Sequence, residues 1–537
     1  MKKHLMKKHL HKGIALLCSA AIAAGMLVGC SSGSSSAAAP SSSSSASASV
    51  SNSESGPLFS EPVTLSMLTP SHASWPFQED WYVVDLIKEY TNVDLKVTAV
   101  DTSGFSEKLN LTMASGELPD LMFLTDNTTV QQYAPQGAFI NILDHLDKMP
   151  NFKAWYEENQ QYAANYLSAD GGLYQFPQQG VEETERRGWL YRSDIFEELG
   201  LEMPTNKDEF YDVLVKLKEA YPDSYPLAFR SFAGTMAQMN MIAPSWGTYY
   251  LDITDNRYFG YDYDAQEWTF GPTSPEFKEM LEFYNKLYKE GLLPNFLTID
   301  TKGWQDVMAN SDSFITIDYL SRIDFFNKAM RESNPEFTMA YMVPPAFNED
   351  VGNQFAYSAK VLLGFVVSSQ TKHLDEALAY IDWMYSDEGR ELLTWGRPGD
   401  LYTEDAAGNR TWKEFSTAAE MKQATGFEVF GFYQRYDFNG ELSTFSPECR
   451  SATEEARKYD LPQQPVLAFN DEEQSIVNTV GTNVKTFVDE QVSKFLLGER
   501  SFNEWDSYVA EVEALGLADL KAVHESSYAR VLALQEG

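Results

Sequence analysis

Cysteine is nearly absent from this chain: Cys18, Cys30 and Cys449 are the only three in 537 residues. The first two fall in the N-terminal 30 residues, so Cys449 stands alone in the body and no intrachain disulfide framework can form there. Stability must therefore come from packing, and Cys449 reads as a buried thiol rather than a nucleophile. Basic residues are also scarce. Lys and Arg number 41 against 78 Asp and Glu, a formal net charge of -37. A surface of that sign repels nucleic acid and anionic lipid, which excludes both as primary partners, and it disfavours a strongly anionic ligand unless a local pocket defies the net charge. Histidine is sparse too, with His72, His145, His373 and His524 beyond residue 30. None lies at HExxH or another metal-ligand spacing, and there is no GxSxG, P-loop or GxGxxG after a strand. The acidic pairs Glu182-Glu183 and Glu472-Glu473 read as solvated surface. No apolar run beyond residue 30 is long enough to span a bilayer.

What the N-terminus has is an address. Lys2, Lys3, Lys7, Lys8 and Lys12 precede an apolar stretch over residues 14–28, followed by Leu27-Val28-Gly29-Cys30. A basic head, an apolar core and a small-residue site define a secretory signal peptide. The Leu-Val-Gly-Cys string resembles a bacterial lipobox, which implies cleavage before Cys30 and a lipid thioether on its sulfur. Residues 31–55 are almost wholly Ser, Ala and Gly. They cannot form a core, and as a flexible coil they reach roughly 25–30 Å.

The body, with 43% hydrophobic and 14% aromatic residues, has the composition of a globular protein. Residues 63–68 and 93–97 alternate as strands, 121–124 is an apolar strand of buried type, and helical spacing occupies 80–90 and 105–114. That β-α-β-α-β order predicts a parallel sheet with helices on its faces. Residues 314–317 and 361–367 read as central strands. Thr205 to Asp208 and Ser501 to Glu504 fit capping boxes ahead of helices, and the C-terminal third is mainly helical.

Four stretches resemble the extracellular solute-binding lipoproteins of carbohydrate ABC importers, in the longer oligosaccharide-binding branch. Ala114-Ser115-Gly116-Glu117-Leu118-Pro119-Asp120 resembles an "SGxxPD" turn. Leu190-Tyr191-Arg192-Ser193-Asp194 through Gly200, with Pro204-Thr205, resembles "RkDwLdkLG…PtT". Ile381-Asp382-Trp383-Met384-Tyr385-Ser386-Asp387-Glu388-Gly389 with Trp395-Gly396-Arg397-Pro398-Gly399 resembles the late helix and its Gly-rich loop. Residues 484–516 resemble the closing helices. The resemblance implies an α/β, two-lobed, type II periplasmic-binding-protein-like fold with hinge-connected lobes and a helical C-terminal part. It places residues 59–185 and 315–370 in one lobe, and 186–314 and 371–537 in the other. It implies a monomer without catalysis, anchored on the outer face of the cell membrane, whose partners are a carbohydrate and an ABC permease. A surface glycoside hydrolase or a sugar-sensing lipoprotein are the alternatives. Some relatives carry a calcium loop where this chain reads Tyr221-Pro222-Asp223-Ser224-Tyr225-Pro226. One carboxylate is too few for a cation that takes six to eight oxygens, so neither metal nor cofactor is expected.

Sugar recognition needs aromatic plates beside planar hydrogen-bonding groups. The resemblance puts Trp395, Arg397 and Trp246 near places where relatives stack sugars. Trp75, Asp126, Asp318 and Tyr319 follow strands, where α/β sheets place ligands. Trp189, just before the "RkD"-like segment, completes the set. The lipobox supplies the first prediction: Cys30→Ser, which removes the sulfur, shifts the protein from the membrane to the soluble fraction on cell fractionation.

Overall fold

The computed structural model describes residues 56–125, 127–180, 186–230, 239–250, 258–295, 299–356 and 361–536. Its first sheet joins β1 (Val63–Ser71), β2 (Val93–Asp101), β3 (Leu121–Phe123) and a late strand in the order β11-β3-β1-β2, where β11 is Phe365–Val367. β1 runs parallel to β2 and β3, while β11 is antiparallel to β3. β3 and β11 are apolar throughout because both faces are covered, whereas β2, at the sheet edge, carries Asp94 and Lys96 in a partly exposed ion pair. Leu121 and Phe123 point into one core with Leu65 and Met67; Met122 points into another with Leu68, Leu109 and Val366.

Helices fall where the spacing places them. Val83, Leu86 and Ile87 bury one face of Tyr82–Thr91, and Asn92 ends that helix in the left-handed conformation. Asp101 caps Thr102–Ser115 by accepting from the Ser103 N–H, and Gly116 closes it at φ 70°. The "PD" of the turn then has a physical role. Asp120 Oδ2 accepts from the Ser66 N–H at 2.8 Å and the Ser66 hydroxyl at 2.6 Å, and Oδ1 accepts from the Thr371 hydroxyl at 2.6 Å. Burial pushes this carboxyl up, but the hydrogen bonds outweigh it and hold its pKa below the ordinary value. One cap differs from expectation. Asn206, not Thr205, accepts from the Glu209 N–H, and Glu209 reaches back to the N–H and hydroxyl of Thr205. The box at Ser501 and Glu504 forms as its spacing predicts.

The chain leaves this first region through β4 (Pro177–Gln179) and enters a second sheet at β5 (Arg187–Arg192). A hairpin of β6 (Phe259–Asp262) and β7 (Glu267–Phe270) follows, then β8 (Ile315–Tyr319) and β9 (Met339–Met342). The order is β8-β5-β9, with both neighbours antiparallel to β5. Again the two faces diverge: Trp189, Ile315 and Ile317 join a core with the helices Pro275–Lys289 and Thr482–Leu497, whereas Leu190 joins Trp304, Leu320 and Phe326.

The expected lobe boundaries need correction. β8 and β9, expected with residues 59–185, pair with β5. The helices Leu374–Tyr385 and Asp387–Trp395, expected with residues 186–314, bury Leu378, Ile381, Trp383 and Leu393 in the core of the first sheet, which extends through Tyr436. The run 361–367 is not one strand. Gly364 divides it into β10 (Val361–Leu363), paired with β4, and β11, paired with β3. A Cβ at Gly364 would lie 2.8 Å from the Phe176 carbonyl oxygen, so the break needs glycine. The described residues therefore change region between Gly180 and Arg186, between Ala356 and Val361, and between Tyr436 and Phe445. Periodicity distinguishes strand from helix but carries no information on which sheet a strand joins. A last hairpin, β12 (Tyr402–Glu404) with β13 (Arg410–Trp412), covers the first core. Among the described residues, no helix is long and apolar enough to cross a membrane.

Candidate functional site

The second sheet presents a cluster of cations at its edge with the crossings. β8 delivers Asp318 and Tyr319 at its carboxyl end. Beside it the segment 227–230 runs parallel, bridged from Leu227 to Ile315, and delivers Arg230 at the same end. β5 is antiparallel, so its first residue, Arg187, lies opposite Tyr319 immediately after the crossing. Arg322 follows one turn after Asp318. The result is three guanidiniums around one ring, at 4.2 Å for Arg187, 5.5 Å for Arg230 and 5.8 Å for Arg322. Asp318 is buried and accepts from Arg230 Nε at 2.5 Å and Arg322 Nε at 3.0 Å. Arg187 donates to the Tyr319 hydroxyl at 2.6 Å. Trp304 packs beneath, fixed by its Nε1–H donating to Thr316 Oγ1 at 2.9 Å. Phe325, 46% exposed, stands 5.1 Å from the Arg322 guanidinium. This is a rigid polar plate with aromatic faces, suited to hydroxyl and carboxylate recognition.

A second group lies past the carboxyl end of β1. Trp75 is partly exposed, stacks on His72 at 4.0 Å, and has the Lys422 ammonium 5.2 Å from its ring. Lys422 pairs with Glu428 at 2.8 Å and lies 3.8 Å from Glu441. Both carboxylates are buried, and burial together with these two charges pushes the Tyr436 hydroxyl well above its ordinary pKa.

The expected site residues separate accordingly. Asp318 and Tyr319 come together with the arginines, and Trp75 sits at the rim of the first sheet. Trp189 is fully buried in β5 against Phe210 and Phe347. Trp246, expected on an open loop, is core: it stacks on Phe347 at 5.2 Å and 15°. Trp395 is corrected as well. It is 1% exposed, stacked on Trp412 at 4.8 Å, and its Nε1–H donates to Asp437 at 3.1 Å. Each indole is large enough to serve as a core anchor, and distant aromatics supply its partners. Arg397 holds neither Trp395 nor Tyr319; it pairs with Glu89 and Asp400 and contacts Tyr82. Asp126 lies outside the described residues. Sequence reasoning missed Arg187, Arg230, Arg322 and Lys422. The available signal was an arginine at a strand start and another one helical turn after Asp318.

Residues 77–391 match the family of bacterial extracellular solute-binding proteins, and the chain belongs to that family. Among characterised relatives it is 23% identical over 507 residues to the fructooligosaccharide ABC transporter substrate-binding protein FusA of Streptococcus pneumoniae serotype 4, covering 87% of this chain and 90% of FusA. It is 24% identical to lipoprotein LipO of Bacillus subtilis, covering 94% of this chain and 97% of LipO. The fold matches that of the alginate-binding protein AlgQ2, solved without calcium, with a TM-score of 0.70 at 22% identity over 89% of this chain and 100% of AlgQ2.

Two substitutions separate core from site. Trp395→Ala is expected to lower stability by about 3–5 kcal/mol through the cavity it leaves, read as a lowered denaturation midpoint. Trp75→Ala should change stability by less than about 1 kcal/mol. It should weaken a carbohydrate ligand by roughly 1–3 kcal/mol in a titration, by analogy with base–aromatic stacking.

Proposed function

We propose that this protein captures an oligosaccharide outside the cell, tethered there by a lipid on Cys30, and delivers it to an ABC permease without altering it. The observation that carries this reading is the arrangement at the crossings. A polar, aromatic-faced plate around Tyr319 belongs to one core, an indole at Trp75 belongs to the other, and both follow strand ends. Family membership supports capture, and the fructooligosaccharide bound by FusA and the alginate bound by AlgQ2 support a saccharide. Capture without turnover is supported by the family, whose named relatives are binding proteins. One close carboxylate pair among the described residues, Glu428 and Glu441, is buried around Lys422, which disfavours it as an acid–base pair for hydrolysis.

The loop 221–226 does not fit calcium. Asp223 is its one carboxylate and is exposed. The Ser224 carbonyl, a type of oxygen calcium uses, accepts instead from the Lys218 ammonium at 2.6 Å, and the Ser224 hydroxyl donates to the Tyr221 carbonyl. A cation already occupies the place of a second one.

The test is a panel of neutral and acidic oligosaccharides incubated with the purified, tether-truncated protein. At least one member should raise the melting temperature, bind with a Kd near or below about 1 μM, and be recovered intact by chromatography. Chelator treatment should leave that affinity unchanged. Cleavage products would replace the reading with a hydrolase, and chelator loss restored by calcium would overturn the metal-free loop.

A further inference from the structure

Three glutamine amides gather around Gly364, where the chain leaves β10 for β11. Gln175 Nε2 donates to the Gly364 carbonyl at 3.1 Å and to the Leu124 carbonyl at 2.7 Å. Gln178, in β4 opposite Leu362, donates to the Tyr433 carbonyl at 3.1 Å. Gln434 lays its amide against Gly364, where a Cβ would sit 2.7 Å from Oε1 and 3.0 Å from Nε2. Its own carbonyl accepts from the Gln179 N–H, so this segment runs alongside β4. All three side chains are buried. Yet among the described residues Gln175 Oε1, Gln178 Oε1 and both polar atoms of the Gln434 amide have no hydrogen-bond partner.

Other buried amides of this chain are answered. Asn327 donates to the Met339 carbonyl at 3.0 Å and accepts from the Met339 N–H at 2.7 Å. Gln464 does the same with the backbone of Tyr261. An amide atom buried without a partner loses its water and gains nothing, so native structures rarely keep one. The cluster also lies where ligands bind. Leu124 directly follows β3, and α/β sheets receive ligands beyond the carboxyl ends of their parallel strands. Tyr436, two residues after Gln434, is within electrostatic reach of the Glu428 and Glu441 carboxylates that flank Lys422 near Trp75.

The unanswered atoms specify what would answer them. Three of the four are carbonyl oxygens, which need a donor. The bonds made by Gln175 and Gln178 run through Nε2, which fixes their oxygens as acceptors. A carboxylate has no donor to offer them, whereas a sugar hydroxyl donates and accepts at once. The Gln434 amide can take from one hydroxyl and give to its neighbour in a single plane. We propose that these amides, Gln434 foremost, form a subsite for a neutral, hydroxyl-bearing part of the saccharide, whose hydroxyls supply the partners the protein does not. This rests on the saccharide-capture reading above. Gln434 is buried in the present arrangement, so the sugar reaches it from a more open one and is enclosed as the two regions close.

The experiment titrates kestose, maltotriose, cellotriose, xylotriose and, as the acidic comparator, trigalacturonate against tether-truncated wild type, Gln434→Met and Gln178→Met. Gln434→Met keeps the length of the side chain, removes both unanswered atoms and breaks no hydrogen bond. Its ligand-free melting temperature should equal or exceed that of wild type, because an unpartnered amide gives way to an apolar group of similar shape. The neutral sugar that wild type binds most tightly should bind this variant about tenfold more weakly. Gln178→Met, which forgoes the bond to Tyr433, should melt slightly lower and weaken the same sugar. At least one monodeoxy form of that sugar should be weakened in wild type and no further in Gln434→Met, since both changes remove one contact. Unchanged affinity in both variants overturns the inference and leaves saccharide capture standing. A Gln434→Met that melts well below wild type also overturns it, by showing that the amide is answered within the protein. Binding of trigalacturonate with no neutral sugar bound overturns the ligand class alone. If nothing in the panel binds wild type, the capture reading itself fails and takes the inference with it.

Discussion

Two regions, each a sheet with a hydrophobic cluster on either face, are threaded on one chain that passes between them three times, and the other features of the site depend on how little space those passages have. At the first, Gly180 adopts φ 113° and its α-carbon lies so close to the neighbouring passage that a Cβ would sit 2.3 Å from the Tyr436 carbonyl oxygen. Gln179 donates its N–H to the Gln434 carbonyl and accepts from the Tyr436 N–H, so two passages zip together as a short ribbon. Arg186 then clamps Asp460 with two bonds of 2.5 and 2.9 Å. Backbone pairing and this ion pair join the two regions at their passages, with separate clusters of core residues on either side.

That constraint also explains where the chemistry lies. A strand that begins at a crossing places its first residue at the boundary, so Arg187 has no choice of location once β5 is set by Trp189 and Leu190 burying on opposite faces. β8, antiparallel to it, must end at the same place. Packing forces thus deliver Arg187, Asp318 and Tyr319 to one spot, although none of the three contributes much to the core that put it there.

Much of this was legible beforehand. The opening β-α-β-α-β order matches to within a few residues, since strands buried on both faces and one-sided helices have distinct periods. Asp318 and Tyr319 were accessible because they end an apolar run. The tryptophans were not. Trp395 looks like a loop residue from its Gly-rich neighbours, but its environment is set by Trp412 and by Asp437, 42 positions away. The lobe boundaries failed for the same reason, as strand pairing is a long-range choice. Arg187 and Arg322 were invisible because a charged residue gives no period, and only the paired register of β5 and β8 reveals that they meet.

On the reading proposed above, the two regions move as bodies about these passages when a saccharide binds near Trp75 and Tyr319. Leu111 and Leu532 are exposed on opposite cores, and Cys449 is buried and will not label. Spin labels on Leu111→Cys and Leu532→Cys, in protein starting at residue 56, report the separation of the cores by pulsed dipolar spectroscopy. A saccharide that binds is predicted to shift the distance distribution to a new, narrower maximum. A bound saccharide that leaves the distribution unchanged would contradict the account.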